Sequence, residues 1–481
     1  MSKLISIIVV TLVLLSVCDA STTINTYAGD NAIKTTYNGD NGAATVAGIG
    51  AYGIAFDSSD NLYIASFVDT TVRKVTSTGI ITTFAGSTGN SGHSGDGGDA
   101  TSATLHLPYF VYVDPSDSYL YIADIGSSEN HVRRVNLATN KISLYAGDMT
   151  GSVADNIQAT VSNICYPQGM KIKGSTFYLV DSCNYAIRMI DSSGVIKTYA
   201  GTLGTSGYSG DGAAATSAKL LKPNDLVFDS SGNMYISDTN DNPSTGYSVI
   251  RKVDAITKVI STVAGSTTAG YSGDGGPPLS ATFINAYGLA IDCFDNLYVG
   301  DKGTSTKVNS VRVIDFTADT INTYAGVSGQ VGAYAGDGGA ATSASLDYPH
   351  QLAFDSSNNF YIADGYNYVV RIVTGNPSAS TCPVISDDDD ADDDDATAAD
   401  DDGSSTSGGS SSADSSDESH SLYGLFALIA ILPISCFIFF IFRKRDTKEK
   451  KEPIPQGDIE ISQQSHAETA VVYASVTTNN I

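Results

Sequence analysis

A short phrase ending in Ala-Gly recurs six times along the chain, and it constrains the fold more than any other feature. The copies begin at residues 24, 81, 142, 196, 260 and 321, so successive copies lie 54 to 64 residues apart. A unit of this length that is built from short β-rich segments cannot bury its own apolar face and must stack on its neighbours. The repeat therefore predicts six equivalent sheets.

Each unit carries three further strand signals ahead of this phrase. Two of them flank a turn, which reads Asp-Ser-Ser-x-Asn within residues 52–66, 224–238 and 350–364, and the third always contains an arginine. Asp and Ser stabilise such turns through their own backbone. Four short antiparallel strands repeated six times are typical of an all-β, six-bladed β-propeller.

The two ends of the repeat region complement each other. The first phrase, at residues 24–29, is not preceded by a set of three strand signals. The last set of three strand signals, ending near Val373, is not followed by a phrase. We expect residues 24–29 to form the outer strand of the sixth blade. This pairing would close the ring and leave no open sheet edge.

These repeats, and linkers such as residues 270–283 (GYSGDGGPPLSATF), resemble the NHL-repeat family, in the long variant found in teneurin-type NHL domains. The resemblance covers about residues 21–378. It implies a six-bladed propeller. It implies little about activity, because NHL propellers include both binding modules and enzymes.

The regions outside the repeats predict a single-pass type I membrane protein at the plasma membrane. Residues 1–20 have the charged start, apolar core and small residues of a secretory signal. Residues 422–442 are uncharged and about long enough to cross a bilayer, and the basic residues 443–445 that follow place the tail, 443–481, in the cytoplasm. The propeller domain, residues 21–385, is then extracellular.

Residues 386–421 contain fourteen acidic residues and no Lys or Arg, so we expect a disordered, self-repelling stalk. The folded part is mildly acidic and has no basic stripe, which argues against a nucleic-acid-binding role. In the tail, Tyr473 and Val476 fit a short tyrosine-based sorting signal, a pattern that also arises by chance.

Two sets of aspartates recur with the repeat. The first set lies in glycine-rich inserts of the type Tyr-Ser-Gly-Asp-Gly, and it comprises Asp40, Asp96, Asp211, Asp274 and Asp337. The connectivity places these inserts on the top face, where the inner strands begin. The sixth junction, near residues 149–156, has lost the motif. A ring of carboxylates is a candidate Ca²⁺ or basic-ligand site. A turn-stabilising role explains the repetition better, so we expect no cofactor here.

The second set follows the second strand, where Ser66 replaces the aspartate in the first blade. We expect each of these aspartates to pair with the arginine of the adjacent third strand. The predicted pairs are Asp124–Arg133, Asp181–Arg188, Asp238–Arg251, Asp301–Arg312 and Asp364–Arg371, with Arg73 left to find another partner.

Histidines and cysteines bear on catalysis and covalent structure. His93, His106, His131 and His350 occupy unlike blade positions, so no set of three is expected to converge and we predict neither a catalytic nor a metal site. Four cysteines of the secreted part allow three pairings. Blade position favours Cys165–Cys183 at the top of blade three, and Cys293–Cys382 at the bottom of blades five and six.

These observations favour a cell-surface recognition or adhesion protein whose propeller binds an extracellular protein or glycan. The alternative is a membrane-tethered, metal-dependent enzyme of the propeller lyase or lactonase type. Some NHL-type propellers are zinc-dependent lyases of peptidyl-hydroxyglycine. A structural coat protein without a specific ligand is a third hypothesis.

Overall fold

The computed structural model describes residues 22–34, 37–126, 129–148, 150–240, 246–303, 309–327 and 334–375. All of them belong to the first of two compact units, Met1–Ala391. They form six antiparallel sheets arranged as blades, which confirms the all-β, six-bladed propeller. The predicted stalk, membrane span and tail, with Cys382, Tyr473 and Val476, lie outside the described residues.

The strands of the first three blades and of the closing strand are, in chain order, β1 (Thr23–Ala28), β2 (Gly42–Ala43), β3 (Ala51–Phe56), β4 (Leu62–Ser66), β5 (Thr71–Val75), β6 (Ile80–Ala85), β7 (Pro108–Val113), β8 (Tyr119–Ile125), β9 (Asn130–Asn136), β10 (Ile142–Ala146), β11 (Ile157–Gln158), β12 (Pro167–Lys173), β13 (Thr176–Asp181), β14 (Ala186–Ile190) and β15 (Val195–Gly201).

The strands of the last three blades are β16 (Pro223–Phe228), β17 (Met234–Thr239), β18 (Ser248–Val253), β19 (Ile260–Gly265), β20 (Ala286–Ile291), β21 (Leu297–Asp301), β22 (Ser310–Asp315), β23 (Thr320–Ala325), β24 (Gly339–Ala340), β25 (Pro349–Phe354), β26 (Phe360–Asp364) and β27 (Val369–Thr374). Single 3₁₀ turns lie at Asn31–Ile33, Ala44–Val46, Ala100–Ser102, Ala159–Val161, Ser182–Asn184, Ala215–Ser217, Pro278–Ser280, Ala341–Ser343 and Gly365–Asn367.

Each blade runs outward from a strand that lines the central channel. The inner strands are β3, β7, β12, β16, β20 and β25, and each is followed in its sheet by the next strands of the chain. Apolar side chains from facing sheets pack between neighbouring blades, as where Tyr298 and Leu352 share one buried cluster. The core is thus a ring of inter-blade layers, as a stacked repeat requires.

The first strand closes the ring as predicted. β1 pairs antiparallel with β27, so Ile24 lies opposite Val373, and Ile24 is fully buried. On its other side, β1 pairs with the short strand β24. The N-terminal segment is therefore an internal strand of the sixth sheet.

The glycine that ends the repeated phrase has a clear steric reason. Gly29 has a φ of 94°, a backbone conformation that side chains disfavour, and a Cβ there would overlap the carbonyl oxygen of Tyr368. The equivalent glycines of the other five blades show the same positive φ and the same overlap. The phrase recurs because the outer strand must turn closely past the third strand at this point.

The glycine-rich inserts lie along the outer edge of the following blade. Their ends pair with its outermost strand, as a short extra strand in three blades (β2, β11 and β24) and as single bridges in the other three. No helix within the described residues is long and apolar enough to cross a membrane.

Candidate functional site

A buried arginine fastens each insert to its blade. The arginine of every third strand is fully buried, and its guanidinium group lies 2.5–3.0 Å from an insert aspartate whose side chain is 32–45% exposed. The pairs are Arg73–Asp40, Arg133–Asp96, Arg188–Asp155, Arg251–Asp211, Arg312–Asp274 and Arg371–Asp337. A buried charge is costly without a partner, so these pairs are part of the fold.

Hydroxyl groups complete this contact. In blade one, Tyr37 and Thr83 donate to Asp40 Oδ2 over 2.7 and 2.8 Å, and the Arg73 guanidinium lies 4.6 Å from the centre of the Tyr37 ring. Burial raises the pKa of Asp40, but the two hydroxyl donors and Arg73 outweigh it and hold that pKa below its usual value. The tyrosines at the equivalent position are Tyr208, Tyr271 and Tyr334.

The sixth junction, in which the motif was expected to be lost, keeps its central residue. Asp155 accepts from Arg188 Nη2 and Thr198 over 3.0 and 2.9 Å. Asn156 follows with a φ of 62°, close to the 64° of Asn41 after Asp40. The conserved geometry needs an aspartate followed by a left-handed residue, and the flanking glycines and tyrosine are dispensable.

The aspartates that end the second strands chiefly hold backbone N–H groups. Asp124 Oδ1 accepts from the N–H groups of His106 and Leu107 over 2.8 and 3.0 Å. In blade one, the Ser66 hydroxyl takes over this role and accepts from Gly50 N–H at 2.8 Å. These side chains fix the segment that leads into each inner strand.

The predicted pairing of these aspartates with arginine differs from blade to blade. Nitrogen–oxygen distances are 3.1 Å for Arg188–Asp181, 3.4 Å for Arg371–Asp364 and 3.9 Å for Arg251–Asp238. In blade five, Asp301 Oδ2 and Arg312 Nη1 are both buried without a hydrogen-bond partner. In blade two, Asp124 Oδ2 faces His93 instead of Arg133. The insert aspartate is the nearer partner because it approaches from the blade edge, a contact that strand order does not predict.

Burial dominates the protonation of three aspartates of this second set. It raises the pKa of Asp238, Asp301 and Asp364 to about 7 each, against the backbone N–H donors and the nearby arginine. Each arginine already has the insert aspartate as a counter-ion, so the second carboxylate has little need to be charged. This makes the three blades sensitive to pH near neutrality.

The disulfide predicted in blade three is confirmed. Cys165 and Cys183 are bonded, with their Cα atoms 5.3 Å apart. Cys293 is also disulfide-bonded, but its predicted partner Cys382 lies outside the described residues, so that pairing stays a prediction.

Aromatic side chains surround the top end of the channel, where the inner strands begin. We call Tyr52, Phe67, Tyr109, Tyr287, Tyr348 and Tyr366 the aromatic mouth. Tyr52 stacks on Phe67 with ring centroids 4.7 Å apart, and Tyr348 stacks on Tyr366 at 4.4 Å. Tyr366 is 47% exposed. Lys302 Nζ lies 3.5 Å from the centre of the Tyr348 ring and 4.5 Å from that of Tyr287.

The mouth is asymmetric and its floor is closed. The second residue of each inner strand is an aromatic or histidine in four blades, but Gln168 and Asn224 occupy it in blades three and four. His350 fills the centre, with its ring centroid 4.6 Å from that of Tyr109, and its Nδ1 bonds the Tyr52 carbonyl at 3.0 Å. Burial lowers the pKa of His350 well below its usual value, so it is neutral.

Below this floor, a cavity of about 360 Å³ occupies the lower half of the channel. It is lined mainly by apolar side chains of all six inner strands, with Lys171 and Gln351 as polar members. Burial lowers the pKa of Lys171, although Asp225 opposes this, and burial raises the pKa of Asp225 to about 6. Each of these two groups therefore favours the charged form of the other.

Three histidines lie close together in blade two, although their unlike positions in the repeat predict that no three histidines converge. His93 lies with its ring centroid 4.6 Å from that of His131 and 5.6 Å from that of His106. Donor atoms of His93, His131 and Glu129 all lie within 4.8 Å of one another. The expectation failed because the insert that carries His93 folds across the outer edge of blade two, a path that repeat spacing does not reveal.

A sequence signal for this cluster did exist. His93 stands three residues before Asp96, where four other inserts have tyrosine before their aspartate. His131 stands at the start of a third strand, where the other blades have Thr71, Ala186, Val249, Ser310 and Val369. Two departures from the repeat in one blade mark it as different. Burial is the largest cause that lowers the pKa of His131.

Comparison with known proteins gives relatives of the same architecture. No protein-family profile matches the chain. NHL repeat-containing protein 2 of Gallus gallus is 26% identical over 306 residues, which are 59% of this chain and 40% of that protein. The chain therefore spans less than half the length of this relative.

Solved structures agree on the fold. A Bacteroides thetaiotaomicron protein of unknown function is 17% identical with a TM-score of 0.53, over 74% of this chain and 76% of its own. An auxiliary nutrient-binding protein of the same organism is 15% identical with a TM-score of 0.51, over 73% and 76%. At such identities the likeness concerns fold alone. The six blades and the avian relative together support the assignment of this chain as an NHL-repeat β-propeller.

Proposed function

We propose that this chain is a single-pass type I protein of the plasma membrane whose extracellular propeller recognises a protein or glycan ligand at the aromatic mouth. The signal, stalk and membrane span predicted from the sequence supply the topology. The asymmetric aromatic mouth is the observation that carries the recognition role.

The chemistry of the mouth suits a ligand that presents flat apolar faces. Tyrosine and phenylalanine rings bury much area at low entropic cost, and a tyrosine hydroxyl still bonds to polar groups. Such rings stack on the C–H face of a sugar as well as on proline or aromatic side chains. Lys302, held above Tyr348 and Tyr287, adds a positive charge that favours an acidic group on the ligand. Residues that recur in every blade cannot provide a specific binding surface, because specific binding needs a surface that breaks the six-fold repeat.

Binding of the labelled propeller to intact cells and to a glycan array tests this proposal. We expect Tyr366→Ala and Phe67→Ala each to weaken binding at least about tenfold, the loss of one contact worth about 1.4 kcal/mol. Phe294→Ala is the matched control, because Phe294 is 45% exposed and lies in the turn after β20, at the opposite end of the inner strand. Equal losses in all three variants, or none, would contradict the site.

Treatment of the target cells separates the two ligand classes. Loss of binding after glycosidase treatment indicates a glycan, and loss after protease treatment alone indicates a protein.

The enzyme alternative requires a metal at the channel mouth. Among the described residues of the mouth and its floor, His350 carries a metal-binding nitrogen, but its Nδ1 is engaged by Tyr52 and the ring is fully buried. If the purified chain turns over lactones or peptidyl-hydroxyglycine and a chelator abolishes this turnover, the enzyme alternative is correct and the recognition role is wrong.

A further inference from the structure

We propose that blade two binds one zinc ion, or a similar late first-row divalent cation, through His93, Glu129 and His131. The site lies on an insert, a connecting loop and a third strand, and it contributes nothing to the inner strands that form the channel. It is therefore distinct from the aromatic mouth, and the proposal does not depend on the recognition role.

The first argument is the orientation of His93. Its Nδ1 lies 3.1 Å from Asp124 Oδ2, and a carboxylate can only accept, so Nδ1 carries the ring proton. The Nε2 atom then presents its lone pair. It points towards Glu129, whose Oε2 lies 3.6 Å away, beyond ordinary hydrogen-bond distance. A carboxylate that holds the far nitrogen of a histidine is the usual support of a metal ligand.

The second argument is the set of unsatisfied atoms. Three buried histidine nitrogens of this cluster have no hydrogen-bond partner, namely His93 Nε2, His131 Nδ1 and His106 Nδ1. Buried polar atoms in folded proteins are almost always bonded, so two orphaned nitrogens on facing rings need an explanation. A cation bound by His93 Nε2 and His131 Nδ1 would satisfy both nitrogens at once.

The third argument is the donor chemistry and its fit. Two imidazole nitrogens and one carboxylate oxygen are a zinc ligand set that leaves a fourth position open. Zinc bonds of about 2.0–2.2 Å place donors roughly 3.3 Å apart, and the donors here lie within 4.8 Å. The Glu129 side chain is 46% exposed, so it can move inwards, and this exposure also gives the ion an entrance.

The backbone leaves room for this arrangement at one glycine. A Cβ at Gly126 would lie 3.0 Å from His93 Nε2 and would overlap the Glu129 carbonyl oxygen. Any side chain at this position would therefore fill the space in which His93 and Glu129 face each other. Bound there, the cation would join the insert, the loop and the third strand of one blade.

The repeat supplies substitutions that remove the ligands without damaging the fold. His93→Tyr restores the residue of four other inserts, and His131→Val restores the residue found in blades four and six. The matched control is His106→Leu. It removes the third histidine of the same cluster and installs the residue that blade four has as Leu221, at the equivalent position.

The test uses the full chain, stripped with a chelator and dialysed against about 10 μM free zinc, with bound metal measured by mass spectrometry. We expect about one more zinc per chain in the parent and in His106→Leu than in His93→Tyr or His131→Val. The differences between variants cancel any weak binding by the acidic stretch at residues 387–395. Asp124→Asn should weaken binding by about 10- to 100-fold, the range for supporting carboxylates.

A second measurement reports coordination itself. Cobalt in the same site should give visible ligand-field bands of a four- or five-coordinate ion, which His131→Val abolishes. Equal zinc in parent, His93→Tyr and His131→Val, no zinc in the parent, or loss of zinc in His106→Leu would each overturn the proposed ligand set.

Discussion

The closing strand allows a sharp test, because the chain carries the same phrase twice in different covalent settings. Residues 24–29 and 321–326 both read INTYAG, and Ile24 and Ile321 are both fully buried. Ile321 lies on a strand joined directly to its blade by a hairpin. Ile24 lies on a strand that no hairpin joins to the sixth blade, so strand pairing and packing hold it there. Comparing Ile24→Ala with Ile321→Ala therefore isolates the effect of closure.

If β1 is an integral part of the sixth sheet, the two substitutions should cost the same. Replacing a buried isoleucine by alanine costs about 3 kcal/mol, since it removes buried carbon atoms and leaves a cavity. For a propeller of this size, with an unfolding entropy near 2.1 cal/mol/K per residue, that corresponds to a fall in melting temperature of about 4 °C. Deleting residues 21–30 should cost considerably more, because it also exposes the edges of β27 and β24.

Differential scanning calorimetry of the chain from residue 21 to residue 385 measures these shifts. Ile256→Ala is the control, because Ile256 is 91% exposed and should change the midpoint by less than about 1 °C. The reasoning is refuted if Ile24→Ala behaves like this control while Ile321→Ala loses about 4 °C. That outcome would mean that the N-terminal strand detaches before the propeller unfolds.

Three further predictions concern the covalent and electrostatic contacts. Cys183→Ser opens a loop of 18 residues and should lower stability by about 3 kcal/mol, measured by urea unfolding beside a reduced parent sample. Asp301 has a pKa of about 7 in the folded chain against 3.8 ordinarily, so the native state retains a proton that the unfolded chain releases, and stability falls as pH rises from about 4 to about 7. Asp301→Asn should flatten this fall over the same pH range and leave melting midpoints at pH 8 equal to or higher than those of the parent. Asp274→Ala removes the carboxylate from a buried arginine and should cost about 2 kcal/mol in urea unfolding, whereas Asp99→Ala, which breaks an exposed lysine pair, should cost under about 0.5 kcal/mol.

The fold could be predicted from the sequence because its information is local and repeated. Each phrase marks one outer strand, and each Asp-Ser-Ser turn marks one hairpin, so the number and order of strands follow from counting. The closure by β1 followed from the unmatched first phrase. The pair Cys165–Cys183 followed from placing both cysteines at the top of one blade.

The partners of the buried arginines and histidines could not be predicted in the same way. Each insert runs from one blade to the outer edge of the next, so Asp40 reaches Arg73 across 33 residues of chain. Strand order gives no distance for such a contact. The sequence therefore suggested the second-strand aspartate, which is adjacent by hydrogen-bonding order, and missed the insert aspartate that folds over it.

In a propeller, the residues that differ between blades carry more functional information than those that recur. A residue needed to build a blade appears in each blade, as the arginine of the third strand does. A ligand or an ion does not contact all six blades equivalently, so its partners must interrupt the repeat. The aromatic mouth does so through Phe67 and Tyr366, and blade two does so through His93 and His131. If either surface is inactive, replacing its residues with those of other blades should alter nothing except local packing. The zinc test therefore uses residues taken from other blades, and the ligand-binding test uses Phe294, an exposed aromatic residue away from the mouth, as its control.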